Sequence, residues 1–192
     1  MKRTDKFFSE IYKIDEITSL YMIEIALDQY SDMFNEWDPA PFKRRDIDPD
    51  LKLYLEESSD EIPFQYPIEL CFTVPAGTRD EQVEEESRNG LRNSFAYKMY
   101  FLKKELRKTN ARMLQCVFIG FGFLWIGKTL SKQFEAIVLL SLMAEGLFIG
   151  GWFFLWEAVS LFFFSNRDLY HRYRTYKRLQ TAPMVFREAT PS

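Results

Sequence analysis

Histidine and cysteine are nearly missing from this chain of 192 residues, which has one of the first and two of the second. Cys71 lies in an alternating apolar segment and Cys116 in an apolar run, so a disulfide framework or thiolate metal site is unsupported, and both read as small buried hydrophobes. His171 sits in a basic stretch with no cysteine or carboxylate cluster at ligand spacing, which leaves a zinc site or a histidine-based triad without support. Glycine-rich phosphate loops are missing as well, since Gly77 stands alone and neither dinucleotide nor P-loop spacing occurs. No catalytic, cofactor-binding or metal-ligating residue is therefore assigned, no cofactor is expected, and the reading is non-enzymatic. The first nineteen residues alternate charged and aromatic side chains, without the apolar core and small-residue cleavage site of a secretory signal, so no cleavage is expected.

Charge is scarce in one region. Mean hydropathy is slightly negative overall, yet Met113 to Ser165 carries only Lys128, Lys132, Glu135, Glu145 and Glu157. Such segregation marks a membrane protein. Residues 113–131 provide roughly the length that crosses about 30 Å of hydrocarbon, with Lys128 snorkelling at the end. A second span is expected over 136–157, leaving the bilayer near Trp156. Residues 158–192 then read as a basic interfacial helix and tail, with Phe162, Leu169, Tyr173, Tyr176 and Leu179 toward lipid or the partner domain and Arg172, Arg174, Lys177 and Arg178 toward lipid phosphates.

Lys98, Lys103, Lys104, Arg107, Lys108 and Arg112 precede the first span, and Arg167 with the basic residues just named follows the second, whereas the turn from Gly127 to Glu135 has two lysines. Positive charge resists translocation, so both flanks and both termini are expected on the cytoplasmic side. These clusters suit anionic lipid headgroups at about 1 kcal/mol per basic side chain, and with no recognition module beside them nucleic acid is not expected as a partner.

Glu145 is costly within a span, at roughly 2.5 kcal/mol or more unless paired, protonated or turned toward another helix. Gly146 and Gly150 beside it have the small-xxx-small spacing that lets helix backbones approach. Glu145 is expected to bond to Gln115 or Trp125 of the first span or to a copy of itself, or to line an ion pathway.

Residues 1–77 read as a small cytoplasmic α/β domain. Leu20–Leu27 and Pro67–Val74 are strands by composition, and Asp48–Glu57 is a helix with an Asp cap and Pro at its first position. A right-handed crossover makes the strands parallel, but two strands alone are marginal, so residues 6–19 are expected to add an element or the edge to pair with another subunit. From Thr78, with a capping box to Glu81, a helix is predicted to run unbroken to about Leu130; residues 78–112 form its amphipathic connecting part, and a break at Thr109–Asn110 is the alternative. The fold class is thus an α+β membrane protein, an α/β domain followed by a long helix, a two-helix hairpin and an interfacial C-terminal helix.

The dense polar stretch Phe34–Asp50 is stiffened by two Asp-Pro pairs and Pro41. It reads as an Ω-type loop pinned by aromatics, or as a recognition surface for a protein partner or anionic ligand using Trp37, Asp38, Phe42, Arg44, Arg45 and Asp46. Acid/base use of Asp38 and Asp46 is unspecific without a cleft or metal.

The stretches FNEWDPAPFKRRDIDPDLKLYLEESSDEIP, RNGLRNSFAYKMYFLKKELRK and AEGLFIGGWFFLWEAV resemble a group of uncharacterised bacterial membrane proteins with an N-terminal soluble domain, two spans and a basic tail. The resemblance covers most of the chain after Leu20, implies a multi-pass protein of the bacterial inner membrane, and transfers no site; WEAVSLFFFS departs from the more polar segment of that group. The expected function is a membrane-anchored module that self-associates as a homo-oligomer or binds a protein partner, with an oligomeric channel subunit using Glu145 as the alternative.

Overall fold

The structure, a computed structural model, describes residues 11–133 and 137–189. In chain order these form β1 (Tyr21–Ala26), α1 (Pro49–Glu61), β2 (Ile68–Val74), α2 (Glu81–Gln133), α3 (Val138–Ser160), a π-helical turn (Leu161–Ser165), α4 (Asn166–Thr181) and β3 (Met184–Glu188). Short 3-10 turns occupy Tyr30–Met33 and Phe42–Arg44. The chain divides into two compact units, residues 11–100 with 173–189, and residues 101–172.

The first unit is built on a three-stranded parallel sheet in the order β1-β2-β3. The parallel pairing of β1 and β2 follows the sequence expectation; the third strand does not. Residues 184–188, expected in an interfacial tail, instead pair with β2, Leu70 opposite Met184 and Phe72 opposite Phe186. Two successive right-handed crossovers in one direction place their helices on one face of such a sheet. That face carries Ile23, Ile25, Leu70, Phe72, Met184 and Phe186, all buried, with the Phe72 and Phe186 rings stacked at 5.1 Å. Each large apolar side chain so buried stabilises the fold by roughly 1.5–3 kcal/mol.

Of the set expected toward lipid or the partner domain, Tyr176 and Leu179 are buried in this unit, Tyr176 close to Phe95. Arg178, expected at lipid phosphates, is turned inward. Its guanidinium donates to the carbonyls of Ser59, Ile62, Pro63 and Tyr66, which closes the turn after α1. An amphipathic helix needs a cover for its apolar face, and here protein supplies it.

Residues 11–19 run along the free edge of β1 and place Asp15 against the other sheet face. The Met22 amide donates to the Lys13 carbonyl, Ile14 bridges Tyr21, and Ser19 turns the chain with φ +56. Residues 6–10, part of the segment expected to add an element here, lie outside the described residues.

Helix α2 is unbroken for 53 residues, about 80 Å at 1.5 Å per residue, so Thr109–Asn110 is no break. The Asn110 side chain accepts from Asn166 at 2.7 Å, which removes it from competition with the backbone. Its cap is Asp80, whose carboxylate accepts from the Gln82 and Val83 amides, rather than Thr78, whose hydroxyl donates to the Pro75 carbonyl. The helix persists to Gln133, so Gly127–Lys132, expected in the turn, is helical; residues 134–136, which include the expected start of the second span, lie outside the described residues.

Two helices are long and apolar enough to cross a membrane, Glu81–Gln133 and Val138–Thr181. The second helix runs on past Trp156. With no proline or glycine between Gly151 and Pro183 it stays helical through the π turn. In the second unit Cys116, Gly120 and Gly127 of α2 and Ala144, Gly151 and Ala158 of α3 are buried small residues. A Cβ on Gly120 would meet the Gly151 carbonyl at 3.0 Å and Leu155 at 2.9 Å, and one on Gly151 would meet Leu124 at 2.8 Å. Close backbone approach thus fixes the hairpin.

Candidate functional site

Two regions gather the residues that the sequence singles out. In the first unit the loop after β1 folds against α2. Phe34 is fully buried and stacks on Phe42 at 5.0 Å, and Gly90 admits both, since a Cβ there would lie 2.9 Å from the Phe34 ring. The Asn93 side chain donates to the Lys43 carbonyl, the Ser94 hydroxyl donates to Asp46, and Lys98 lies 3.5 Å from the same carboxylate.

The loop's charges are largely consumed by its own construction. Asp38 accepts from the Ala40 and Asp46 amides, and those two bonds, led by that of Asp46, hold its carboxyl below the usual range. Arg45 donates to the Ala40 carbonyl and lies over the Phe42 ring at 5.3 Å. Of the candidate interaction residues, Arg44 is exposed and Trp37 is 93% exposed. An indole held in water by a rigid loop exposes apolar area that folding did not use. Asp38 and Asp46 are thereby engaged as loop scaffolding, which opposes an acid/base role.

At the carboxyl ends of the parallel strands, where open α/β sheets place ligands, the structure assembles a network that the sequence does not announce. Glu84, 1% exposed, receives both Arg79 nitrogens at 2.8 and 3.1 Å, Arg88 at 3.2 Å and the Tyr30 hydroxyl at 3.3 Å. The Arg79 guanidinium holds the Glu84 carboxyl low, and burial raises the Tyr30 hydroxyl. All of these charges are satisfied within the network. The following helix start is occupied by Asp80 and that of α1 by Asp48, so neither strand-to-helix turn offers free amides to an anion.

On the opposite sheet face Asp15, Glu69 and Arg187 meet. Arg187 reaches Asp15 at 2.5 Å and Glu69 at 3.9 Å. The Thr18 and Ile17 amides, then Arg187, push the Asp15 carboxyl down to about 2, whereas burial raises that of Glu69, which is 1% exposed. These contacts span 172 positions of sequence for Asp15 and Arg187, and no local pattern reveals them.

Family models, curated proteins and solved structures give no match to the chain. The functional reading therefore rests on its residues.

In the second unit Glu145 and Gly146 are exposed on α3, along the side that also shows Leu142, Ile149 and Trp152. Among the described residues Glu145 makes no bond to Gln115 or Trp125, and nothing lies within 4 Å of a Cβ built on Gly146. A Cβ on Gly150 would lie 3.1 Å from the Phe123 ring. The two glycines expected to share one contact face are thus separated, Gly150 beside α2 and Gly146 away from it. Glu157 lies 3.7 Å from Arg112.

Proposed function

We propose that this protein is a membrane-anchored, non-enzymatic module of the bacterial inner membrane that self-associates through α3 and presents its cytoplasmic loop to a protein partner. One observation carries the reading: Glu145 and Gly146 share an outward helix face that the hairpin's own packing leaves open. A carboxyl facing hydrocarbon costs at least roughly 2.5 kcal/mol, and a second copy relieves this by a carboxyl-to-carboxyl hydrogen bond, with Gly146 permitting close approach. Support for both termini on one side comes from the first unit, which draws on chain before the first long apolar helix and after the second; one folded unit lies on one side of a bilayer, which requires an even number of crossings. The exposed Trp37 and Arg44 are of the types that anchor protein interfaces.

Crosslinking in native membranes tests the first half. Dimers or larger species that disappear in Gly146→Leu support self-association, and monomer alone, in wild type as in the variant, overturns it. Exposed Glu145 also favours a second reading, a channel subunit with that carboxylate on an aqueous path. Ion leakage from liposomes that is lost in Glu145→Gln with assembly intact would select it, and wild-type vesicles without conductance reject it.

A further inference from the structure

We propose that residues 11–19 form a proton-operated strap, closed on the sheet while Glu69 is a neutral acid and released when that carboxyl ionises. Glu69 stands on the central strand, 1% exposed, and its Oε1 has no hydrogen-bond partner among the described residues. The strap bears directly on it, since the Thr18 hydroxyl bonds to the Glu69 side chain and the Asp15 charge acts on it. One Arg187 nitrogen stands between two carboxyls, 2.5 Å from Asp15 and 3.9 Å from Glu69. The guanidinium is thus committed to the strap and merely near the strand.

Charge decides what that geometry allows. With Glu69 neutral, Arg187 and Asp15 are a matched pair that ties β3 to the strap. With Glu69 ionised, two carboxylates face one guanidinium, and a buried charge with an unpaired oxygen is costly. The other groups on these elements do not relieve it. Lys13 of the strap is paired with Glu24 of β1 at 3.1 Å, Glu16 is exposed, and burial raises the Cys71 thiol two residues along β2. Asp15, held near 2 by its backbone bonds, stays ionised throughout the range in which Glu69 titrates. Burial raises the Glu69 carboxyl in the closed form; opening admits water and returns it to the ordinary range, so closure is linked to proton uptake and is lost as pH rises through the raised value. The strap's last turn is poised for release. Ser19 at φ +56 is the one non-glycine residue of positive φ among the described residues, a conformation that persists where the surroundings enforce it.

Amide hydrogen exchange of the full chain in detergent, resolved by residue with nuclear magnetic resonance and corrected for intrinsic rates, tests the strap. The Met22 amide, bonded to the Lys13 carbonyl at 2.8 Å, reports the strap, and the Leu70 amide, bonded to the Pro183 carbonyl at 2.9 Å, reports the sheet in the same sample. Between about pH 4.5 and about pH 8 the Met22 protection factor should fall about tenfold, the equivalent of one lost charge-assisted hydrogen bond, with Leu70 unchanged. Glu69→Gln, permanently neutral and of the same shape, should keep Met22 protected at both ends of the range, and Arg187→Gln should leave it weakly protected at both. A flat wild-type profile, or the same fall in Glu69→Gln, would overturn the strap. Wild type alone supplies a second check, because the carboxyl carbon shift of Glu69 should titrate with the same midpoint as Met22 protection; separate midpoints would sever the proton from the strap.

Discussion

The two units place their polar groups differently. In the first, two buried charges gather several partners, Glu84 from two arginines and a tyrosine and Arg178 on four carbonyls, while Glu69 Oε1 and the Ser59 and Ser87 hydroxyls have no hydrogen-bond partner among the described residues. In the second, Glu145 stands exposed on α3 and the Asn166 oxygen has no hydrogen-bond partner among the described residues. Glycine follows the same division. Gly90 lets a loop dock on a helix, whereas Gly120 and Gly151 let two helices touch. The first unit concentrates its bonding on a few charged centres, and the second carries a carboxyl on an open helix face.

The strongest way to break the first half of this contrast is Arg178→Met. Four carbonyls lose one shared donor group, and the first unit should lose about 3 kcal/mol or more, read from urea unfolding in detergent by near-ultraviolet circular dichroism. Next in size, Gly120→Leu or Gly151→Leu forces side chains into backbone and should weaken helix pairing by about 2 kcal/mol. Gly146→Leu, built into open space, should leave intrachain distances between spin labels on α2 and α3 unchanged. A loss of pairing in Gly146→Leu would break the distinction between the two glycine faces.

A subtler test concerns two neighbouring carboxyls whose affinities for a proton are shifted in opposite directions. The folded-state value of Asp15 is depressed to about 2, so its contribution is present above the ordinary aspartate range near 3.8 and is lost as pH falls toward 2. Glu69 is raised, so the folded state holds its proton more tightly and stability from this group declines as pH climbs above 4.5, the ordinary value. Acid unfolding should therefore lose steepness below pH 4 in Asp15→Asn, and Glu69→Gln should be tolerated at neutral pH. The smallest expected effect on stability is that of Trp37→Ala, within about 0.5 kcal/mol, because the indole contributes to no core. That same variant should abolish recovery of a bound protein in a pull-down if Trp37 anchors a partner.

Much of the backbone was legible in sequence. Asp48 followed by Pro49 announced α1, and the apolar strands around Ile23 and Leu70 announced the sheet and its parallel pairing. The third strand was not legible, because MVFRE is short and its neighbour β2 is remote in sequence. Amphipathicity in α4 told of one apolar face without telling what covers it, and Arg178 was accordingly assigned to lipid instead of carbonyls. In the same way, Gly146 and Gly150 have the spacing for helix contact, but spacing within one helix does not say which residue meets the other. Of the loop, composition offers Trp37 and Phe42 alike as apolar anchors; Phe42 packs on Phe34, whereas Trp37 stands in water. The consumption of Asp38 and Asp46 by backbone amides was not, since it depends on where the chain turns back.

The place of β3 in the chain sets an order of events. A ribosome delivers β1 and β2 early, but the strand that lies against Leu70 and Phe72 emerges only after both long apolar helices have been made. Until then the edge of β2 and its phenylalanine are uncovered, and a nascent chain truncated before Met184 has nothing to close them. Completion of the sheet therefore waits until both helices have been made, and fragments that stop within the hairpin should be degraded faster than the full chain in a pulse-chase.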